Sequence, residues 1–220
     1  MLGFSSQGGT VMANTLAPFG FLEYGTNGAA LTGIMSQRRI ASSNTTAIYR
    51  GDPVMPVVGS ATGYITQAAA GTTRLDGIFM GCEYVSVSQK RKWWSPYWPG
   101  SDASGDVLAY VIDNPAATFK VQASGAAFYN ASATTSTIAS LPIGQYAQFT
   151  IGSGSTATGQ SGAYLSSVGT TVTFPFIILN YIFDPPGSNG TDPTTNYPWV
   201  VVGFNNEILR SNGAGPTGIS

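Results

Sequence analysis

The stretch Thr118-Phe119-Lys120-Val121-Gln122-Ala123 alternates polar and apolar residues, and it indicates the fold class more clearly than any other segment. Alternate side chains of a β-strand point to opposite faces, so Phe119, Val121 and Ala123 would share one face of a sheet. The polar residues between them would share the other face. The stretch therefore predicts a β-strand with one buried face.

A second strand is predicted immediately before it. Val107 to Ile112 is a nearly continuous apolar run, and Asp113-Asn114-Pro115 then interrupts the chain. Residues of these types favour a turn. The sequence therefore predicts that the two segments pair as neighbouring antiparallel strands.

Strand-like segments recur along the rest of the chain. Ile78 to Val87 contains Gly81, which suits a bulge or close packing, and Phe174 to Phe183 is also apolar. Trp199 to Phe204 has the continuous apolar character of a fully buried strand. Gly, Pro, Asn and Asp interrupt the chain about every ten residues, without helical periodicity. The pattern predicts an all-β fold: a single β-sandwich or β-barrel-like domain.

The same pattern of strand-like segments and turn-forming residues predicts the domain organisation. We expect an N-terminal arm and opening segment at residues 1–24, the β-rich domain at 25–211 and a flexible C-terminal tail at 212–220. Long Gly/Ser/Thr-rich loops are predicted at Ser132 to Ser140 and Gly152 to Gly162. A Pro/Gly/Asn loop is predicted at Asp184 to Pro198.

The composition favours a protein that functions in an assembly. Charged residues make up 9% of the 220 residues, against roughly 25% in an average soluble domain. A surface poor in long charged side chains loses little entropy when it packs against another protein. An ordinary monomeric β-protein with a neutral surface is the alternative.

Several functional classes are disfavoured by residue counts. The chain has no histidine and one cysteine, Cys82, so it lacks the residues for Ser-His-Asp catalysis or a structural zinc site. We therefore predict a non-enzymatic protein without a cofactor, although a hydrolase that uses carboxylates alone stays open. The net charge of −1 argues against wrapping nucleic acid. The run from Phe174 to Phe183 is too short for a membrane helix, which needs about 20 residues.

The densest local feature is Lys90-Arg91-Lys92-Trp93-Trp94-Ser95-Pro96-Tyr97-Trp98-Pro99. Cations beside aromatics are found in nucleic-acid stacking platforms, in sugar-binding surfaces and in protein interfaces. A proline-fixed turn whose tryptophans cap the core is the structural alternative. Asp102 to Asp106 spaces oxygen ligands as a calcium loop does, but it lacks that loop's glycine and bidentate Glu, so a polar turn is predicted.

The order of several segments resembles a family of tailed-bacteriophage virion structural proteins. The resemblance covers most of the chain from Met12 onward, and no single segment is a catalytic motif. The segments that carry it are Met12-Ala-Asn-Thr-Leu-Ala-Pro-Phe-Gly-Phe21, Ala47-Ile-Tyr-Arg-Gly-Asp-Pro-Val54, Gly77-Ile-Phe-Met-Gly-Cys-Glu-Tyr-Val85, Trp94-Ser-Pro-Tyr-Trp-Pro-Gly100, Ala109-Tyr-Val-Ile-Asp-Asn-Pro115, Phe119-Lys-Val-Gln-Ala123 and Val200-Val-Val-Gly-Phe-Asn-Asn-Glu-Ile-Leu209.

The resemblance implies a capsid decoration (cement) protein. Such a protein would bind the major capsid protein on the outside of the virion, after synthesis in the cytoplasm of the bacterial host, and would form a homotrimer. Neither nucleic acid nor a membrane is an expected partner. We expect the anchoring surface to combine the arm, the opening segment and the tryptophan turn, with these residues: Phe4, Val11, Phe19, Phe21, Tyr24, Trp93, Trp94, Tyr97 and Trp98.

Two further binding functions stay open. A tail-fibre or receptor-binding module would also be β-rich and virion-borne, although the sequence has no internal repeat of the kind that feeds a trimeric stalk. A carbohydrate-binding module would use Trp93, Trp94, Tyr97 and Trp98 as its sugar platform.

Overall fold

The structure is a computed structural model that describes residues 13–26, 35–59, 63–132 and 140–208. Within these ranges the chain forms β-strands joined by turns, with a short 3₁₀ helix at Ala126–Phe128. The predicted all-β class is confirmed. In chain order the strands are β1 (Leu22–Thr26), β2 (Ser36–Ile40), β3 (Ile48–Tyr49), β4 (Pro53–Pro56), β5 (Ile65–Gln67), β6 (Gly77–Ser86), β7 (Arg91–Ser95), β8 (Tyr97–Trp98), β9 (Val107–Ile112), β10 (Ala117–Gln122), β11 (Tyr146–Thr150), β12 (Tyr164–Gly169), β13 (Phe176–Tyr181) and β14 (Trp199–Phe204).

The strands form two large sheets and a small ribbon. The first sheet has the strand order β1-β10-β14-β13-β11-β12, and its neighbours pair antiparallel. The second sheet has the order β2-β9-β6-β4-β5, with β7 also paired to β6, while β3 and β8 form the ribbon. Neither large sheet closes on itself among the described strands, so of the two predicted forms the chain adopts the sandwich.

The larger hydrophobic core lies between the two large sheets. Alternate residues of the first sheet, among them Phe119, Val121, Phe176 and Val202, belong to the same buried cluster as Ile78 of the second sheet. Phenylalanines dominate this core: the Phe176 ring stacks on the rings of Phe21 and Phe204 at centroid distances of 4.4 and 5.9 Å. Each fully buried ring stabilises the fold by about 1.5–3 kcal/mol relative to an exposed one.

A second buried cluster lies on the opposite face of the second sheet. Phe79, Cys82 and Tyr84 of β6 reach it, and the ribbon covers it with Ile48 and Trp98. Both faces of the second sheet are therefore buried over part of their area. This accounts for the long apolar runs in β6 and β9, because apolar and polar residues alternate only in a strand that has one face exposed to solvent.

The longest described strand, β6, is 10 residues long and organises the second sheet. Its first residues pair with β4, its last with β7, and β9 pairs along its other side. The register with β9 shifts between Phe79 and Gly81, so the bulge predicted at Gly81 is confirmed. A bulge bends a strand and increases its twist, which lets one strand serve both β4 and β7.

The predicted pairing of Val107–Ile112 with the strand after it is wrong. These segments are β9 and β10, and they belong to different sheets. Ile112 and Ala117 are both buried in the core between the sheets, so the connection between them crosses from one layer to the other. The crossing is fixed at Asp113, which accepts hydrogen bonds from Arg38 Nη2 at 2.7 Å and Ser36 Oγ at 2.8 Å.

The described part of the opening segment packs on the outer face of the first sheet. Asn14 Nδ2 donates to the Asp192 carbonyl at 2.7 Å, and its Oδ1 accepts from the Gly190 N–H at 2.8 Å. Gln122 lies on the polar face of its strand as predicted, yet it is fully buried. The opening segment covers it, and the Ala17 N–H donates to its Oε1 at 2.8 Å. The opening segment and the predicted 184–198 loop therefore order each other.

The two predicted Gly/Ser/Thr-rich loops differ in what the structure describes. Gly152 to Gly162 forms no strand, as predicted, and it is held against the chain by Arg50, which exchanges backbone hydrogen bonds of 2.9 Å with Gly159 and Ser161. Most of Ser132 to Ser140 lies outside the described residues, as do residues 1–12 of the predicted arm and the 212–220 tail. The described residues include no helix long and apolar enough to cross a bilayer.

Candidate protein-binding surface

The segment predicted as a tryptophan turn is instead one arm of a β-hairpin. Strand β7 pairs antiparallel with the end of β6, and residues 87–90 connect them. Asp102 fixes this connection: its carboxylate accepts from Ser86 Oγ at 2.5 Å and from the Ser88 N–H at 2.8 Å. These bonds lower the pKa of Asp102 below its usual range, with the Ser86 bond the largest cause.

The hairpin exposes a cluster of large apolar side chains. Trp94 and Val87 are each 57% exposed, Val85 is 49% exposed and Trp93 is 39% exposed. Tyr84 and Ser86 alternate with the valines and point into the fold, where both are buried. Trp94 lies on the same face of the hairpin as Val85, because its cross-strand partner is Glu83, whereas Trp93 lies opposite Tyr84 on the other face. Large exposed apolar side chains this close together mark interaction sites. We name Val85, Val87, Trp93 and Trp94, which lie on the two faces of one hairpin, the hairpin surface.

The missing side chain at Gly81 lets the Trp94 ring lie close to the β6 backbone. A Cβ at this position would lie 3.1 Å from the Ser95 carbonyl oxygen and 3.4 Å from Cζ2 of Trp94. The φ of Gly81 is also 149°, which side chains rarely adopt. The same glycine therefore provides the bulge in β6 and the close approach of the indole ring to the sheet.

The cations of the hairpin have different partners. Lys92 forms an ion pair with Glu83 across the strand pair. That hydrogen bond is the largest cause of the lowered pKa of Glu83, and Tyr110 adds a second one. The Arg91 guanidinium lies 5.0 Å from the centroid of the Trp93 ring. In the part of the chain that the structure describes, neither Lys90 nor Arg91 forms a salt bridge, so these two side chains make the hairpin positive.

The other predicted anchors of the turn are buried or half-buried. Trp98 is 0% exposed, and its Nε1 donates to the Asn44 carbonyl at 3.2 Å, so it caps the second cluster. Tyr97 is half-buried, with its ring stacked on Tyr49 at a centroid distance of 5.3 Å. The turn prediction thus combined two environments: Trp93 and Trp94 face solvent, whereas Trp98 belongs to the core.

The predicted anchors of the opening segment are also divided. Phe21 is 0% exposed and lies in the core between the sheets, so its side chain offers no surface to a partner. Phe19 is half-buried and meets the Trp199 ring edge-on at 5.3 Å. Tyr24 is 53% exposed, but it lies on β1 of the first sheet, away from the hairpin strands. Phe4 and Val11 lie outside the described residues.

Val85 and Val87 are exposed residues that the sequence did not predict as part of a binding surface. A period-2 pattern is present at Tyr84-Val85-Ser86-Val87, but a simple polarity rule would bury the valines and expose Ser86. The structure reverses this, because the buried Ser86 hydroxyl donates to Asp102. The inward direction of Ser86 depends on its hydrogen bond to Asp102, which lies 16 residues later in the chain. A single sequence does not reveal this hydrogen bond.

The described residues do not gather the groups of a metal site. No cluster of three or more His, Cys, Asp or Glu side chains is found among them. In the Asp102 to Asp106 segment, Asp102 binds Ser86 and Ser88, whereas Asp106 accepts from the Tyr64 hydroxyl at 2.8 Å. The two carboxylates therefore serve different neighbours, as expected of a polar turn.

The buried acids have structural partners. Asp76 accepts from Arg38 Nε at 2.8 Å, and the same arginine binds Asp113. Asp52 accepts from the Tyr49 N–H at 2.8 Å, from Gln67 Nε2 at 2.6 Å and from Ser161 Oγ at 2.5 Å. Burial is the main cause of the raised pKa of both Asp52 and Asp76. Each carboxylate thus connects separate segments of the chain.

Comparisons with protein-family models, with curated proteins and with solved structures find no match for this chain. The structure itself defines the class of the protein as an all-β sandwich with an exposed aromatic hairpin. The resemblance to tailed-bacteriophage virion proteins stays a prediction.

Proposed function

We propose that this chain is a capsid decoration protein that binds the outside of a phage head at junctions between shell subunits. The hairpin surface is the observation that carries the proposal, because exposed tryptophans beside an arginine are the residues that dominate protein interfaces. The low content of charged residues and the resemblance of the sequence to phage virion proteins also support it.

The proposed action is physical. A protein that buries surface across a subunit junction only in the mature lattice stabilises that lattice by mass action. A homotrimer on a threefold position would engage several equivalent junctions at once, so avidity would retain it even where each contact is weak. Trp93 and Trp94 are suitable anchors because aromatic rings bury large area at a small entropy cost.

Co-sedimentation with mature capsids and with unexpanded procapsids tests this function. We expect saturable binding to mature capsids at a ratio set by the lattice sites, and weaker binding to procapsids. Absence of binding to both particles would overturn the proposal. Recovery of the protein from tails would instead favour a receptor-binding module.

Single substitutions locate the binding surface. We expect Trp94→Ala to weaken capsid binding at least tenfold, a size typical of an interface hot spot. Val58→Ala is the matched control, because Val58 is 60% exposed and lies outside the hairpin. Tyr24→Ala separates the opening segment from the hairpin, since Tyr24 lies on the other sheet. Full binding by a folded Trp94→Ala variant would remove the hairpin from the interface.

The carbohydrate-binding alternative depends on the same exposed ring. Trp94 lies over Gly81 with the polar side chains of Glu83 and Lys92 beside it, and sugar sites combine an aromatic platform with hydrogen-bonding groups. A glycan-binding screen distinguishes the two functions. Specific sugar binding that Trp94→Ala abolishes, together with no capsid binding, would favour this alternative.

A further inference from the structure

The strand that carries the tryptophans has a free backbone edge. In the described sheet, β7 pairs with β6 alone. The backbone of Val85 in β6 faces away from β7, because its carbonyl accepts from the Ser104 N–H at 2.8 Å. Hydrogen-bonding directions alternate along a strand, so Tyr84 and Ser86 bond to β7 through their partners Trp93 and Arg91.

It follows that the N–H and C=O groups of Lys92 and Trp94 point outward, away from β6. A row of unpaired backbone groups is a template for another strand. Lysine side chains often protect such edges, but the Lys92 ammonium is held by Glu83 on the neighbouring strand. The edge is therefore open to an extended peptide, which would add to the sheet by β-augmentation.

Charge defines the chemistry of that peptide. Lys90 and Arg91 are exposed at the start of β7 and form no salt bridge within the described residues. Trp93 and Trp94 follow them along the same strand. Arg91 and Trp93 share one face of β7, and Lys92 and Trp94 share the other. A matching segment would carry a carboxylate opposite Arg91 and an apolar side chain opposite Trp93, two residues apart on the same face. Charge-assisted hydrogen bonds from arginine to carboxylate are among the strongest that proteins form.

We propose that the free edge of β7 binds an extended acidic segment of a partner protein, which pairs with the backbone of Lys92 and Trp94. The identity of this partner as the shell protein rests on the function proposed above. The site itself does not depend on that function, since the free edge, the cations and the exposed rings are all features of this chain.

Titration of the intact protein with synthetic peptides tests the site, with tryptophan fluorescence as the readout. The first probe is an acetylated and amidated peptide in which two Val residues are followed by two Glu residues, so that an antiparallel pairing places Glu opposite Arg91 and Val opposite Trp93 on the same face. A second probe has Gln in place of every Glu, and a third is the acidic peptide with N-methyl groups on the amides that would pair with β7. We expect saturable binding of the first probe that weakens with salt, and at least tenfold weaker binding of the other two.

A pair of variants separates backbone pairing from charge. Lys92→Pro removes the outward N–H, and proline is tolerated on edge strands where that group faces solvent. Lys92→Ala removes the same side chain but keeps the N–H. We expect the proline variant to bind the acidic peptide at least tenfold more weakly than the alanine variant. Arg91→Glu should weaken binding by a similar factor, and circular dichroism verifies that each variant is folded.

The outcomes distinguish the site from the function. Equal binding of acidic and neutral peptides, or equal binding by the proline and alanine variants, would overturn the inference even if the protein binds capsids. Peptide binding with the expected pattern, but without capsid binding, would keep the site and overturn the decoration function. Concentration-dependent dimers that Lys92→Pro dissociates, with no peptide binding, would assign the edge to a second copy and overturn the acidic partner.

Discussion

The two buried clusters of this protein are stabilised in different ways. The core between the sheets consists mainly of side chains from strand interiors, and its phenylalanine rings contact one another directly. The cluster under the ribbon is smaller, and short strands and loops close it. Buried polar groups hold those short pieces in place, above all Asp52 and the Trp98 indole. The first cluster therefore depends on packing, whereas the second depends on specific hydrogen bonds.

The largest effect is expected in the core between the sheets. Phe176 contacts Phe21, Phe149 and Phe204, so Phe176→Ala should lower the free energy of unfolding by about 3–5 kcal/mol. Urea denaturation measures this loss. Leu179→Ala on the same strand is the control, since Leu179 is 41% exposed and should lose far less. Similar losses for the two variants would contradict the account of this core.

A smaller effect is expected where hydrogen bonds hold the second cluster. Asp52→Asn keeps the size of the side chain but leaves one acceptor oxygen, so its N–H₂ group faces either the two donors of Tyr49 and Gln67, which bind Oδ2, or the Ser161 hydroxyl, which binds Oδ1. Unfavourable pairing of a buried polar group costs about 1–3 kcal/mol. Urea denaturation at neutral pH measures the difference, and an unchanged stability would show that these bonds do not hold the cluster.

The same variant has a pH dependence of defined sign. Burial raises the pKa of Asp52 above its usual value of 3.8, so the folded state holds this proton more firmly than the unfolded chain does. The stabilisation from this proton is complete below pH 3.8 and is lost as the pH rises through the raised pKa. The stability of the native protein relative to Asp52→Asn should therefore fall over that window and stay constant above it. A difference that grows with pH would contradict this sign.

The smallest effect is expected at Cys82. Its Sγ makes a weak contact with the Tyr97 carbonyl at 3.6 Å, so Cys82→Ala should cost about 1 kcal/mol. Burial raises the pKa of the native thiol to about 12. Thiol labelling at pH 8 should therefore proceed only when the second cluster opens, and faster in Asp52→Asn than in the native protein. Rapid labelling of the folded native protein would mean that this cluster is not closed.

The sequence predicted the elements of the first cluster better than their arrangement. Trp199–Phe204 matched the predicted strand, and Phe119, Val121 and Ala123 are buried on one face as expected. The partners of β9 and β10 were mispredicted, because a turn sequence such as Asp113 to Pro115 also fits a crossing between sheets. Which of these occurs depends on Arg38, which lies far away along the chain.

The candidate surface was only partly predictable for a similar reason. Trp93, Trp94 and Trp98 share one short aromatic segment, and local composition does not separate exposed rings from buried ones. The separation comes from Tyr84 and Asn44, which contact Trp98 from distant parts of the chain. The free edge of β7 was not predictable either, since it depends on which strands lack a second neighbour.

The position of β14 has a consequence for the order in which the protein matures on the ribosome. Every described strand of the second sheet lies between residues 36 and 112, so that sheet is synthesised well before Trp199–Phe204. The first sheet needs Trp199–Phe204 at its centre, between β10 and β13. Until that segment emerges, the nascent chain contains the complete second sheet with its core-facing apolar side uncovered, and β10 and β13 lack the strand that pairs with both. Such intermediates aggregate readily, so ribosomes that pause before residue 199 should yield insoluble fragments.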